Sequence, residues 1–60
     1  MGPQYQWYTY ECSTMYYKYA TNVRAKSVKD ARQLGYREAR RVMGNHARIT
    51  SDHVTPYEHP

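Results

Sequence analysis

Tyrosine is the main bulky apolar residue of this 60-residue chain, and this limits the core that the chain can build. The sequence holds eight Tyr, one Trp and no Phe, and its only branched aliphatic residues are Leu34, Ile49 and four Val. A tyrosine ring can be buried while its hydroxyl stays hydrated. We therefore expect one folded domain over residues 1–60, with a thin core covered by tyrosines, near the lower size limit for independent folding.

Two strands are predicted in the first part of the chain, at 4–12 and 15–25. Tyr, Trp, Thr and Val are frequent there and suit a half-buried pleated sheet. Alternation in 15–25 places the odd positions inward, whereas 4–12 leaves its inward face open. A two-residue loop at 13–14 would pair Tyr10 with Tyr17 and Tyr8 with Tyr19, which favours the even positions of the first strand. A loop of odd length would exchange the faces.

The clearest predicted element is a helix over 28–43. Ser27 is a typical N-cap residue with Asp30 three positions later, and Gly44 followed by Asn45 is a strong C-terminal stop. A glycine inside a helix costs about 1 kcal/mol, so we interpret Gly35 as part of a shallow groove that accepts tyrosine rings of the sheet. The inward face of this helix is predicted to comprise Val28, Ala31, Gly35, Ala39 and Val42.

The remaining chain predicts a short third strand and a tail. Residues 46–51 form a weak strand pattern with Ala47 and Ile49 inward, and the polar segment 52–60 with two prolines predicts a flexible tail. The predicted fold class is therefore α+β. It is a ββαβ-type domain with one helix packed on a two- or three-stranded, mostly antiparallel sheet.

Several classes of protein and of site are excluded by composition. No stretch approaches the roughly 20 apolar residues of a membrane span, and the first residues lack the charged and apolar regions of a signal peptide. We therefore expect no membrane association and a cytoplasmic location. Cys12 is the only cysteine, which excludes an internal disulfide and a thiolate zinc site. His46, His53 and His59 match no compact metal-ligand spacing, and no catalytic motif is present, so we predict neither a cofactor nor an enzyme.

The middle of the chain sets the sign of the net charge, which is +4. Residues 26–48 carry seven basic residues against Asp30 and Glu38. Arginine forks match phosphate and carboxylate geometry, so this stripe is a candidate docking site for a polyanion or an acidic surface. The alternative is a solvated helix face in which Glu38 pairs with Arg41. The predicted partner-binding residues of the helix are Lys29, Arg32, Tyr36, Arg37, Arg40 and Arg41.

The outward face of the two-stranded hairpin is the second candidate surface. An exposed Trp beside Tyr and basic groups suits either a base-stacking platform or a protein-binding hot spot. The alternative is that Trp7 belongs to the core and the strand faces are exchanged. The predicted partner-binding residues of this face are Tyr5, Trp7, Tyr16, Lys18 and Arg24.

The order of features resembles that of many small phage and mobile-element proteins over residues 4–50. These features are the aromatic hairpin, the junction from Ala25 to Ser27, the capped helix with Asp30 and Ala31 in its first turn, and a short closing strand. Such proteins commonly dock on a host enzyme or defence complex, as anti-CRISPR proteins and inhibitors of host RNA polymerase do. The resemblance implies a stoichiometric inhibitor.

Three functional hypotheses follow. The first is a non-enzymatic inhibitor or regulator that uses a Tyr/Arg surface to block a host protein or ribonucleoprotein complex sterically. The alternative is a direct nucleic-acid-binding protein that uses the basic helix face and the aromatic sheet face, with strongly salt-dependent affinity. The acidic residues within the helix stripe and the lack of a second helix for a helix-turn-helix favour the first. The third is a homodimer formed through an unpaired strand edge or Trp7.

Overall fold

The computed structural model describes residues 4–57, which form one helix packed on a three-stranded antiparallel sheet. The elements in chain order are β1 (Gln6–Ser13), β2 (Lys18–Ala25), α1 (Val28–Met43) and β3 (Ser51–Pro56). The sheet order is β2-β1-β3, so β1 is the central strand. The helix carries the chain from one edge of the sheet to the other and covers one face. The predicted α+β class is confirmed.

The β1–β2 turn is longer than the predicted two-residue loop. Residues 14–17 form it, and Tyr10 lies opposite Thr21 rather than Tyr17, while Tyr8 lies opposite Val23 rather than Tyr19. Two-residue hairpin turns need positive φ angles, and no non-glycine residue among 4–57 has one. The register differs from the predicted one by four residues. An even shift keeps the same side chains on each face, so the even positions of β1 still point inward.

The helix has the predicted bounds because its two ends are specified locally. The Ser27 hydroxyl accepts a hydrogen bond from the Asp30 amide at 3.1 Å, and the Ser27 carbonyl accepts one from Ala31 at 2.9 Å. At the other end, Gly44 has a φ of 95° and its amide donates to the Arg40 carbonyl at 2.9 Å. A serine cap and a glycine stop therefore delimit a helix of 16 residues.

The core is thin and lies where the tyrosines of β1 meet the small residues of the helix. Tyr10 is fully buried, and a Cβ built on Gly35 would approach the Tyr10 Cδ1 atom to 2.7 Å and overlap its Cβ and Cγ. The predicted groove for tyrosine rings is therefore present. The buried residues that form it with the sheet are Tyr8, Tyr10, Cys12, Ala25, Ala31, Gly35 and Ala39.

Four predicted core positions are wrong, and Met15, in the turn between β1 and β2, is the most exposed of them at 81%. Tyr17 is 52% exposed because it belongs to the turn and not to β2, and Tyr19 takes the half-buried place beside Tyr10. Val28 and Val42 are each 52% exposed as well. They occupy the first turn and the last turn of the helix, beyond the stretch where Ala31, Gly35 and Ala39 are buried against the sheet.

The third strand begins later than predicted. Residues 47–50 have no regular structure, and the strand covers Ser51–Pro56, most of which was predicted to be a flexible tail. Ile49 does pack against the core, but Val54 is the aliphatic residue of the strand that packs there. Arg40 donates to the carbonyls of Asn45 and Ala47, which holds this segment in a loop. The end of the predicted tail, residues 58–60, lies outside the described residues.

Candidate functional site

One end of the sheet gathers an exposed aromatic ring and several cations. Tyr5 immediately precedes β1 and is 55% exposed. The Lys26 Nζ atom lies 5.3 Å from the centroid of its ring, and the Arg24 guanidinium carbon lies 5.8 Å from it. Both distances are within the range of cation–π contacts. We call Tyr5, Arg24, Lys26 and Arg37 the Tyr5 cluster.

Arg37 joins this group across a shallow groove between the end of the sheet and the helix. The groove has a volume of about 290 Å³, and its lining includes Tyr5, Lys26, Leu34 and Arg37. Asp30 is the one acidic side chain among the lining residues. With Arg24 also near the Tyr5 ring, cations outnumber acids in this group, so it carries excess positive charge.

The short junction between β2 and the helix explains this grouping. Arg24 lies near the end of β2, Lys26 follows the strand, and Ser27 caps the helix one residue later. There is thus no loop that could carry the cations away from the sheet. Trp7, which is 40% exposed, is the cross-strand partner of Arg24 in the central strand and continues the aromatic surface.

The structure divides the predicted sheet-face residues between two ends. Tyr5, Trp7 and Arg24 lie together at the end just described. Tyr16 belongs to the β1–β2 turn and Lys18 begins β2, so both lie at the opposite end of the sheet. Lys26 is the cluster residue that the sequence prediction missed. Its position between two predicted elements was a usable signal, because a two-residue junction beside Arg24 keeps it close to the first strand.

The predicted basic stripe on the helix is divided by internal partners. Arg32 forms a bidentate pair with Asp52, with N–O distances of 2.7 and 3.3 Å. Arg41 pairs with Glu38, as the solvated-face alternative predicted, and its Nε atom lies 3.0 Å from the carboxylate. The hydrogen bonds from Arg41 lower the pKa of Glu38. Arg40 donates to two loop carbonyls, and its guanidinium carbon lies 5.8 Å from the Tyr36 ring centroid.

Lys29 and Arg37 differ from these three arginines. Both are exposed, and within residues 4–57 neither belongs to an ion pair. Of the two, Arg37 lies beside Tyr5 and Lys26 in the groove lining, whereas Lys29 is not part of that lining. Arg37 is therefore the predicted helix residue that lies next to a predicted sheet-face residue, Tyr5.

The buried polar groups serve to join elements. Tyr10 donates its hydroxyl hydrogen to the Asp52 carboxylate at 3.0 Å, and the same carboxylate holds Arg32. Burial and the neighbouring Asp52 carboxylate raise the pKa of Tyr10 well above its usual range. Burial also raises the pKa of the Cys12 thiol, which packs in the core beside Tyr10 and Ala39. A buried thiol with a raised pKa is a weak nucleophile at neutral pH.

Among residues 4–57, no three His, Cys, Asp or Glu side chains are grouped so that they could hold a metal ion. His59 lies outside that part of the chain. No helix of the described part is long and apolar enough to cross a membrane.

Comparison of the chain with protein-family models, curated proteins and solved structures finds no match in any of the three. The function of the protein is therefore inferred from the contacts of its own residues. The cluster around Tyr5 is where those contacts combine exposed aromatic surface with excess positive charge.

Proposed function

We propose that this protein is a non-enzymatic binding protein that docks through the Tyr5 cluster and Trp7 on an acidic surface of a partner protein. The observation that carries the proposal is an exposed tyrosine ring with both Arg24 and Lys26 within cation–π distance of it. In this proposal the protein acts as a small inhibitor or regulator in the cytoplasm. It blocks a functional surface of a host protein or ribonucleoprotein complex by covering it.

The residue types of this surface support protein binding. Trp, Tyr and Arg supply most of the residues that dominate interface energies. Tyr5 is partly ordered before binding by its two cations, which lowers the entropy cost of immobilising its ring in an interface. The groove beside it offers Leu34, 40% exposed, as apolar surface between the charged groups.

The proposal is tested with three immobilised baits in nuclease-treated extract of cells that express the protein. The baits are the wild type, the double variant Tyr5→Ala/Arg24→Ala, and Lys29→Ala. The last removes one positive charge, as the double variant does, but lies outside the cluster. We expect at least one protein to be retained by the wild type and Lys29→Ala, and to be depleted at least tenfold on the double variant.

A tenfold loss corresponds to about 1.4 kcal/mol of binding free energy. The retained partner, once purified, should give the same ratio of dissociation constants by calorimetry. If all three baits retained the same proteins, the cluster would not be the docking surface. If Lys29→Ala alone lost the partner, the basic helix stripe would be the docking surface instead.

Direct binding of single-stranded nucleic acid is the second candidate function. The observation that favours it is the cross-strand pair of Trp7 and Arg24 on the sheet face opposite the helix. Such a face can stack bases on aromatic rings while cations hold the phosphates. The two functions differ in their dependence on salt, because release of counterions from nucleic acid makes affinity fall steeply with salt concentration.

A further inference from the structure

The opposite end of the sheet exposes apolar side chains on a turn that is held rigid. Met15 is 81% exposed and Tyr16 is 85% exposed. The Thr14 hydroxyl oxygen accepts hydrogen bonds from the amides of Tyr16 and Tyr17, both at 3.1 Å. The Thr14 amide also donates to the Tyr17 carbonyl at 2.8 Å. The turn is therefore ordered by its own contacts, although its two most exposed side chains contribute little to the core.

A second loop faces this turn and is also held in place. Arg40 donates to the carbonyls of Asn45 and Ala47 at 2.7 and 2.9 Å. The Thr50 amide donates to the Ser13 carbonyl at 2.8 Å, which ties the loop to the end of β1. Between the turn and the loop lies a groove of about 310 Å³. We call it the tip groove; its lining includes Met15, Tyr16, Tyr17, His46 and Arg48.

The formal charge among the residues that line the tip groove is positive. Arg48 lines it, Lys18 follows the lining residue Tyr17 directly in the chain, and no acidic side chain belongs to its described lining. Apolar surface with a cationic border is complementary to an apolar side chain flanked by carboxylates. It is not complementary to a second copy of itself, because a twofold contact would bring the same cations together.

We propose that the tip groove binds a segment of a partner protein that inserts an apolar side chain and carries carboxylates on both sides of it. This surface is distinct from the Tyr5 cluster. From Trp7 to Thr14 the chain advances by seven residues along the central strand, or roughly 24 Å at about 3.4 Å per residue. The protein thus has two separate surfaces for acidic partners, one at each end of β1.

Three synthetic hexapeptides serve as probes: EEWLEE, its basic counterpart KKWLKK, and the polar acidic peptide EEGSEE. Each is titrated into isotopically labelled protein at 150 mM NaCl while the backbone amides are followed by NMR. We expect EEWLEE to shift the amides of residues 14–17 and 46–50. Its dissociation constant should be at least ten times lower than that of either control peptide.

Protein variants separate this surface from the rest of the molecule. Met15→Ser/Tyr16→Ser should weaken EEWLEE binding at least tenfold. Val28→Ser, which removes an exposed apolar side chain elsewhere, should leave it within twofold. Both substitutions affect exposed positions, and an unchanged amide spectrum outside the substituted sites verifies the fold. Tyr5→Ala/Arg24→Ala should also leave EEWLEE binding within twofold, so failure of this inference and failure of the proposed function are distinguishable.

Four results would overturn the inference. The first is equal binding of KKWLKK, and the second is equal binding of EEGSEE. The third is amide shifts confined to the Tyr5 cluster. The fourth is self-association through residues 14–17, seen as a sedimentation coefficient that rises with protein concentration in the wild type but not in Met15→Ser/Tyr16→Ser.

Discussion

At the scale of single residues, the contact between Gly35 and Tyr10 determines how closely the helix approaches the sheet. Gly35 has no side chain, and the root of the Tyr10 side chain fills the space where a Cβ would lie. The Tyr10 Cβ atom is bonded directly to the backbone, so it cannot move aside without moving β1. The glycine is therefore required by packing and not by its backbone angle.

Gly35→Ala tests this contact because two effects act in opposite directions. In an exposed helix the change stabilises by about 1 kcal/mol through helix propensity, whereas overpacking a core costs about 1–3 kcal/mol. We expect a net loss of up to about 2 kcal/mol in the free energy of unfolding, measured by urea denaturation. Gln33→Ala, at an exposed position of the same helix, should change it by less than about 0.5 kcal/mol. A gain in stability for Gly35→Ala would contradict the close packing.

Residue-scale features differ in how far they could be predicted. The groove of Ala31, Gly35 and Ala39 follows from spacing within one helix, so the sequence indicates it directly. The core tyrosines of β1 were also predicted, because an even register shift leaves the strand faces unchanged. Tyr17 was placed wrongly, since its position depends on the length of the turn, and the hydrogen bonds of Thr14 that determine this length are not visible as a pattern.

At the scale of elements, the helix is specified locally and β3 is specified by distant contacts. Ser27 caps the start of the helix and Gly44 ends it, so both signals lie next to the helix in the sequence. The predicted bounds of the helix agree with the observed ones. In contrast, β3 is held by its pairing with β1 and by Asp52, which meets Tyr10 from 42 positions away in the chain. The apolar alternation in 46–51 predicted the strand there, and of that segment only Ser51 belongs to β3.

The hydrogen bond between Tyr10 and Asp52 predicts how stability depends on alkaline pH. The pKa of Tyr10 is raised in the folded state relative to the ordinary value of about 10. Above that pH the unfolded chain loses a proton that the folded protein keeps, so the free energy of unfolding falls as pH rises. The decline attributable to this one proton is at most about 1.4 kcal/mol per pH unit.

Tyr10→Phe should remove this part of the pH dependence. We expect the variant to lose about 1 kcal/mol at pH 7 with the hydrogen bond, and to show a shallower decline than the wild type between pH 9.5 and 11. The measurement is urea denaturation at each pH. Tyr16→Phe, at an exposed turn position, should follow the wild-type curve. If the free energy of unfolding of the wild type and of Tyr10→Phe fell in parallel with pH, the pKa of Tyr10 would be the same in the folded and the unfolded protein.

At the scale of the whole molecule, the candidate residues fall into groups that the sequence did not separate. Tyr5, Trp7, Arg24 and Arg37 were predicted from two different patterns and lie at one end, whereas Tyr16 and Lys18 lie at the other. The grouping depends on the sheet order and on the short junction before the helix, which are properties of the fold. Composition predicted one aromatic and basic surface. In the fold, its residues lie at the two opposite ends of the sheet.

The protein carries a net charge of +4. The salt dependence of nucleic-acid binding tests whether this charge serves to bind phosphates. If the protein docks on a partner protein, random 20-nucleotide single strands and 20-base-pair duplexes should show no measurable binding by fluorescence anisotropy at 50 mM NaCl. If the three cations of the Tyr5 cluster instead held phosphates, log K would fall with log salt with a slope of about −2 for single strands and about −3 for duplexes. Binding with such a slope would replace the proposed function by direct nucleic-acid binding.

The position of β1 in the centre of the sheet has a consequence for how the molecule folds. Of the four elements, β1 is synthesised first, whereas β3, which pairs with its other edge, is synthesised last. Tyr8 in β1 pairs with Pro56 in β3, 48 positions later in the chain. Bringing such distant segments together costs loop entropy before any pairing is gained. Chains with many distant contacts fold more slowly than helical bundles of similar size. During synthesis the hairpin and helix can therefore form early, while one edge of the central strand stays unpaired until residues 51–56 arrive.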